Sequence, residues 1–184
     1  MSAPDAEAAV DDPFDGFLRR EGQGLLRFAY LLTGGQAAVA EDLVQTVLAR
    51  LLRRGIDDLA DPRTYARRSI VNENHSLSRR AAAQLRALAR HGPGEAAEAR
   101  TEQTEDRAAL FAALRTLSDR ERAAVVLRYY EDLPDDQIAQ VLGCSRPTVR
   151  SLVHRALPKL RGHLQPTYQP GAEDDTRRTG GLHG

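Results

Sequence analysis

Tryptophan is absent from this 184-residue chain, cysteine and methionine occur once each, and aromatic residues make up only 5% of it. With Cys144 alone, an internal disulfide and a cysteine-cluster zinc site are both excluded, and a lone thiol reads as a small buried hydrophobe. His75, His91, His154, His163 and His183 stand in unrelated contexts without ligand spacing, so no metal and no other cofactor is expected, nor the convergent groups of an enzyme. Long apolar runs are missing too. Nothing approaches the roughly 20 residues needed to span a bilayer, and the opening MSAPDAEAAVDDPFDG is acidic where a secretory leader would be basic and then apolar. The expectation is a cytoplasmic protein with no membrane partner and no small-molecule substrate. Leu, Val and Ala must supply most of the packing, enough for one ordinary core or two small ones.

Net charge is also lacking, at zero, but the charges are segregated. Residues 1 to 16 hold five acids and no base, whereas 63 to 90 hold seven arginines against the single acid Glu73. Residues 145 to 165 hold Arg146, Arg150, Arg155, Lys159 and Arg161 with no acid at all. Two separate basic blocks point to a polyanion, although any one arginine taken alone reads as a solvated helix face.

Alternating strand patterns are nearly absent while apolar residues recur at three and four, which gives an all-α fold. The first helix is expected from Pro13 to Leu32 with Phe14, Leu18, Leu25, Phe28, Ala29 and Leu32 inward, ended by Thr33-Gly34-Gly35. A second runs from Ala37 to Arg54 and closes at Gly55; Asp61-Pro62 then caps a third that carries the first arginine block. From 91 to 106 the composition turns to Gly, Pro, Ala and Glu, as in a tether. The chain therefore divides into an acidic disordered start (1–12), a helical domain (13–90), a flexible linker (91–106), a second small helical domain (107–164) and a disordered tail (165–184).

In the second domain Ser118-Asp119-Arg120-Glu121 has the form of a capping box, and the helix after it is expected to bury Ala123, Val126, Leu127 and Tyr130. A short helix opening at Pro134, a stop at Gly143 and a cap at Ser145 lead into a final helix, the pattern of a helix-turn-helix. Val149, Val153, Leu157 and Leu160 form its inward stripe, leaving Arg146, Thr148, Arg150, Ser151 and Arg155 on an outward face suited to a major groove. Pro158 removes the amide that would bond the His154 carbonyl, so that helix should kink or stop after Leu157.

The segments FAYLLTGGQAAVAEDLVQTVLARLL, YARRSIVNENHSLSRR and LSDRERAAVVLRYYEDLPDDQIAQVLGCSRPTVRSLVHRALPKLR, in this order, resemble the extracytoplasmic-function group of the sigma-70 family, in its SigE-like branch. The resemblance spans about Phe14 to Arg161. It implies a non-enzymatic subunit whose partners are core RNA polymerase and promoter DNA, with an anti-sigma factor as an optional further partner. By the same resemblance Asp42 and Gln45 contact polymerase; read alone, Asp42 is an acid complementing a helix dipole. The resemblance further implies that Arg67, Arg68, Asn72, Asn74, Arg79 and Arg80 recognise and open the minus-ten element, and that the helix-turn-helix reads the minus-thirty-five element as duplex. Relatives carry a Trp before the arginine pair where this chain has Leu77 and Ser78, and a DNA-facing basic residue where it has Leu152. Leu152 is accordingly expected to be exposed, either as a plain apolar residue or against a thymine methyl. Two alternatives stay open: a response-regulator-type factor, which would need an amino-terminal α/β receiver, and a polymerase-binding adaptor without promoter activity.

Overall fold

The computed structural model describes residues 12–88 and 105–164, and within them seven helices and no strand. They are α1 (Pro13–Leu32), α2 (Ala37–Arg54), α3 (Pro62–Leu88), α4 (Glu105–Arg115), α5 (Asp119–Tyr129), α6 (Asp135–Leu142) and α7 (Arg146–Leu164). Residues 1–11 of the expected disordered start, most of the expected linker and the expected tail lie outside the described residues, whereas Asp12, expected in the disordered start, caps α1.

Local chemistry sets the helix ends. Asp12 accepts the Phe14 amide at 3.0 Å and Pro13 occupies the first turn, where its missing N–H costs nothing. At the other end Thr33 donates its hydroxyl to the Tyr30 and Gln36 carbonyls, and Gly34 and Gly35 turn the chain with φ of 66° and 91°. Asp61 accepts the Thr64 amide at 3.0 Å to start α3, and the Thr64 hydroxyl and amide hold its carboxyl below the ordinary range. The capping box at Ser118 and Glu121 forms with both reciprocal bonds. Gly143 ends α6 in the left-handed region at φ 59°, a conformation that a residue with a Cβ adopts only at a cost.

Apolar periodicity then sets what faces inward. On α2 the buried residues are Ala40, Leu43, Val44, Val47 and Leu51. On α1 the buried stripe is Phe17, Leu25, Phe28, Ala29 and Leu32. Leu18, expected inside, is exposed and lies over Gly22, because Phe17 one position earlier continues the stripe and buries the larger surface. Phe14 is half-buried. Tyr130 also departs from expectation, being 43% exposed. It stands at the end of α5, where Glu131 and the left-handed Asp132 (φ 51°) reverse the chain before the stripe can include it.

Helix α7 runs unbroken through Pro158 to Leu164 rather than stopping after Leu157. Ala156 and Leu160 are buried on either side of the proline, and Lys159 Nζ bonds Glu121 at 2.7 Å, so tertiary contacts hold the turn that loses an amide bond. Leu152 is likewise a correction. It is 4% exposed and packs with Ala124 and Val153, so it faces neither solvent nor a thymine methyl.

The first three helices and the last four share one apolar core running from Phe17 to Leu160. Tyr30 of α1 meets Phe111 of α4 edge-on at 4.8 Å, with the Arg107 guanidinium 5.2 Å from the Tyr30 ring. Gly35 is required here, since a Cβ would sit 2.8 Å from the Phe111 ring. None of the described helices is long and apolar enough to cross a membrane.

Candidate nucleic-acid interface

The helix-turn-helix is built by α6, the Gly143 turn and α7. Ser145 Oγ accepts the Thr148 amide at 3.4 Å, so the positive end of α7 opens at the surface beside Arg146. Val149 and Val153 point into the core, and Arg146, Thr148, Arg150, Ser151 and Arg155 all lie on the exposed face. The basic face is held in place by acids behind it. Asp135 in the first turn of α6 pairs with Arg128 and accepts Arg150 Nε at 2.9 Å. Glu121 faces Arg155 Nε at 3.6 Å as well as Lys159. The small hydroxyls bond within the first turns of the helix: Ser151 donates to the Pro147 carbonyl at 3.0 Å, and Thr148 Oγ1 lies 2.9 Å from Ser145 Oγ. Arginine forks on a rigid helix can read base edges or grip phosphates without paying much to become ordered.

The arginine block of α3 is divided. Arg68, Asn72, Arg79 and Arg80 are exposed, and every side chain described from Arg79 to Ala87 faces solvent. Arg67 and Asn74 are not: they are 4% and 7% exposed. Arg67 pairs with Glu131, which also has Arg63 at 3.8 Å, and Asn74 lines a cleft with Asp119, Arg120 and Leu142. Further pairs, Arg50 with Glu73 at 2.6 Å and Arg63 with Glu21 at 3.0 Å, tie α3 to α2 and α1. Asp42 and Gln45 are exposed on the outer side of α2.

Sequence reasoning missed Glu121, Asp135, Glu131 and Arg122 as members of the site. Glu121 shares the inward stripe of α5 with Ala124 and Val125, a charged residue at core spacing that could have signalled it. Arg122 donates to the carbonyls of Leu114 (2.9 Å), Leu117 (3.0 Å) and Leu32 (2.7 Å), joining three chain turns through one guanidinium. Burial pushes its pKa down, Asp119 opposes this and Arg115 adds to it; the guanidinium remains charged at neutral pH.

Comparison with known proteins gives the arrangement a family. Residues 17–84 match the model of Sigma-70 region 2, and residues 113–162 match that of Sigma-70, region 4. The chain is 36% identical over 156 residues to the RNA polymerase sigma-E factor of Streptomyces avermitilis, covering 83% of this chain and 85% of that protein. It is 35% identical over 149 residues to the ECF RNA polymerase sigma factor SigL of Mycobacterium tuberculosis, covering 77% and 82%. Among solved structures, the sigma factor RpoE of Bartonella quintana, in complex with the anti-sigma factor NepR, superimposes with a TM-score of 0.69 at 24% identity, over 84% of this chain and 98% of that one. Two helical modules, the second presenting a basic helix-turn-helix, and these matches along most of both chains lead to one conclusion: this chain belongs to the sigma-70 family of RNA polymerase sigma factors, in its extracytoplasmic-function group.

Proposed function

We propose that the division of labour within this sigma factor follows the two basic surfaces. The outward face of α7, with Arg146, Thr148, Arg150, Ser151 and Arg155, reads the minus-thirty-five element in the major groove. The α3 set of Arg67, Arg68, Asn72, Asn74, Arg79 and Arg80 holds the strand released when the minus-ten element opens. Guanidinium groups grip phosphates there, and side-chain amides meet unpaired base edges. Asp42 and Gln45 on α2 contact core polymerase, which supplies all the catalysis; the sigma subunit acts by binding, in the cytoplasm, with no cofactor. An anti-sigma protein is a further partner, as RpoE of B. quintana has in NepR. The segment that leads into α1 and the tail beyond α7 are assigned to neither DNA contact.

The observation that carries this reading is the segregation on α7, where a fully buried Val149 lies between the exposed Thr148 and Arg150. Arg150→Ala tests it. The variant should bind a minus-thirty-five duplex about 1–3 kcal/mol more weakly, with relaxed preference at one base pair if Arg150 reads an edge, or a shallower salt dependence if it grips phosphate. Unchanged affinity together with an unchanged salt slope, measured by titration at several salt concentrations, would remove Arg150 from the interface.

A further inference from the structure

We propose that Asp135 is a positioning residue for sequence readout: it fixes the Arg150 guanidinium so that its terminal nitrogens meet a guanine edge, and it thereby sets specificity more than affinity. This rests on, and deepens, the assignment of the α7 face to the minus-thirty-five duplex. Three helices converge at this one carboxylate. Arg150 Nε of α7 donates to Asp135 Oδ2 at 2.9 Å, and Arg128 of α5 pairs with the other oxygen, Oδ1. Asp135 stands in the first turn of α6, where the positive helix end favours a carboxylate. Its side chain is 18% exposed and that of Arg150 is 71% exposed. The acid is thus held from behind by Arg128 and the helix end, while the arginine projects past it into solvent. The bond spans 15 residues of chain across the Gly143 turn, so the seating of α6 on α7 and the aim of Arg150 are set together.

Which nitrogen the acid takes decides what is left for DNA. Arginine carries its N–H donors in a rigid planar fork, and with Nε engaged by Asp135 the terminal Nη1 and Nη2 edge remains for a partner. That edge offers two parallel donors, the match for guanine O6 and N7 in the major groove. A long flexible side chain loses rotamer freedom when it docks, and the charge-assisted bond to Asp135 restricts that freedom beforehand. The same carboxylate opposes indiscriminate binding, because it is repelled by any phosphate brought close to it. Arg155, which also has an acid beside it, is not fixed in this way. Glu121 Oε1 lies 3.6 Å from its Nε, beyond hydrogen-bond range, and Lys159 takes Oε2 at 2.7 Å.

The test uses the full chain and a pool of duplexes carrying one randomised block. Base preferences are read by sequencing the bound fraction, and affinities by fluorescence anisotropy on the enriched duplex and on the unselected pool. The original protein should enrich guanine at a position where Arg150→Ala abolishes the preference. Asp135→Asn keeps the side chain's shape and removes its charge. It should lower the guanine preference at that position by about tenfold, leave other positions alone, and bind the unselected pool at least as tightly as the original. Adding Arg150→Ala to Asp135→Asn should lower the preference no further than Arg150→Ala alone. A second measurement needs no change at Asp135: in heteronuclear NMR spectra the Arg150 Nε proton, assigned by its loss in Arg150→Lys, should exchange with water more slowly than that of the exposed Arg146. Exchange as fast as in Arg146 overturns the pairing. A preference lost in Arg150→Ala but intact in Asp135→Asn overturns the positioning role and leaves the α7 assignment standing. Equal weakening on enriched and unselected duplexes in Asp135→Asn, the mark of a merely structural residue, overturns it as well. A base other than guanine at the position that Arg150→Ala relaxes, or no position relaxed, overturns the guanine contact. No enrichment of any sequence by the original protein sinks the α7 assignment, and the role of Asp135 with it.

Discussion

Replacing Arg122 with alanine is expected to lower the stability of the folded chain by about 3–5 kcal/mol, near the upper limit for one substitution. Its Nε and both terminal nitrogens donate to three carbonyls, Leu114, Leu117 and Leu32, and the side chain is 11% exposed. Hydrogen bonds from a charged group are worth about 1.5–3 kcal/mol each and are not fully additive. Truncation also removes this donor from the Leu32 carbonyl at the end of α1 and from the Leu117 carbonyl just beyond α4, while the Leu114 carbonyl keeps the Leu117 amide at 3.2 Å. Lysine, a single point donor, should recover only part of the loss. Urea unfolding followed by circular dichroism measures the effect, and a stability change below about 1 kcal/mol would contradict it.

Glu121→Ala should cost about 2–3 kcal/mol and, more distinctively, should flatten the loss of stability in acid. Burial by itself raises the carboxyl's pKa, but the Lys159 ammonium and the Ser118 amide and hydroxyl outweigh it and hold the group below its ordinary 4.5. A carboxyl that titrates lower in the folded than in the unfolded chain contributes stability above the unfolded value. That contribution declines as pH falls through 4.5 and is gone below the lowered folded value. Asp61 adds to the same acid limb in the same direction. Unfolding free energies of the original and the variant should therefore converge as pH drops from neutral toward 3. A gap that stays constant over that range would show that the carboxylate's charge contributes nothing. Since Glu121 also pairs with Arg155 and Lys159, the variant joins the packing of α5 to the basic face of α7.

Much of this fold is legible in the sequence because its signals are local. Pro13, Asp61-Pro62, the Ser118–Glu121 box and Gly143 each act within one turn of chain, and the structure uses all of them. What is not legible depends on other elements. Phe17 and Leu18 are equally apolar neighbours, and only the packing partner decides between them. Leu152 was expected at the surface by position in the motif, yet Ala124 on α5 covers it. Pro158 breaks a local rule that Ala156, Leu160 and the Lys159–Glu121 pair override. The pairing of Arg67 with Glu131 spans 64 residues of chain, a separation at which no periodicity or cap carries information. The exposed basic face of α7 could be read from a single helix, whereas the covering of Arg67 and Asn74 could not.

Promoter-dependent run-off transcription measures the central claim most directly. Purified chain added to core bacterial RNA polymerase, with a promoter library made from the source genome, should yield discrete transcripts that vanish when the chain is omitted. Those transcripts should weaken when either upstream element is scrambled. No transcript from any promoter in the library, with the chain still bound to polymerase, would contradict the account and leave an adaptor in its place.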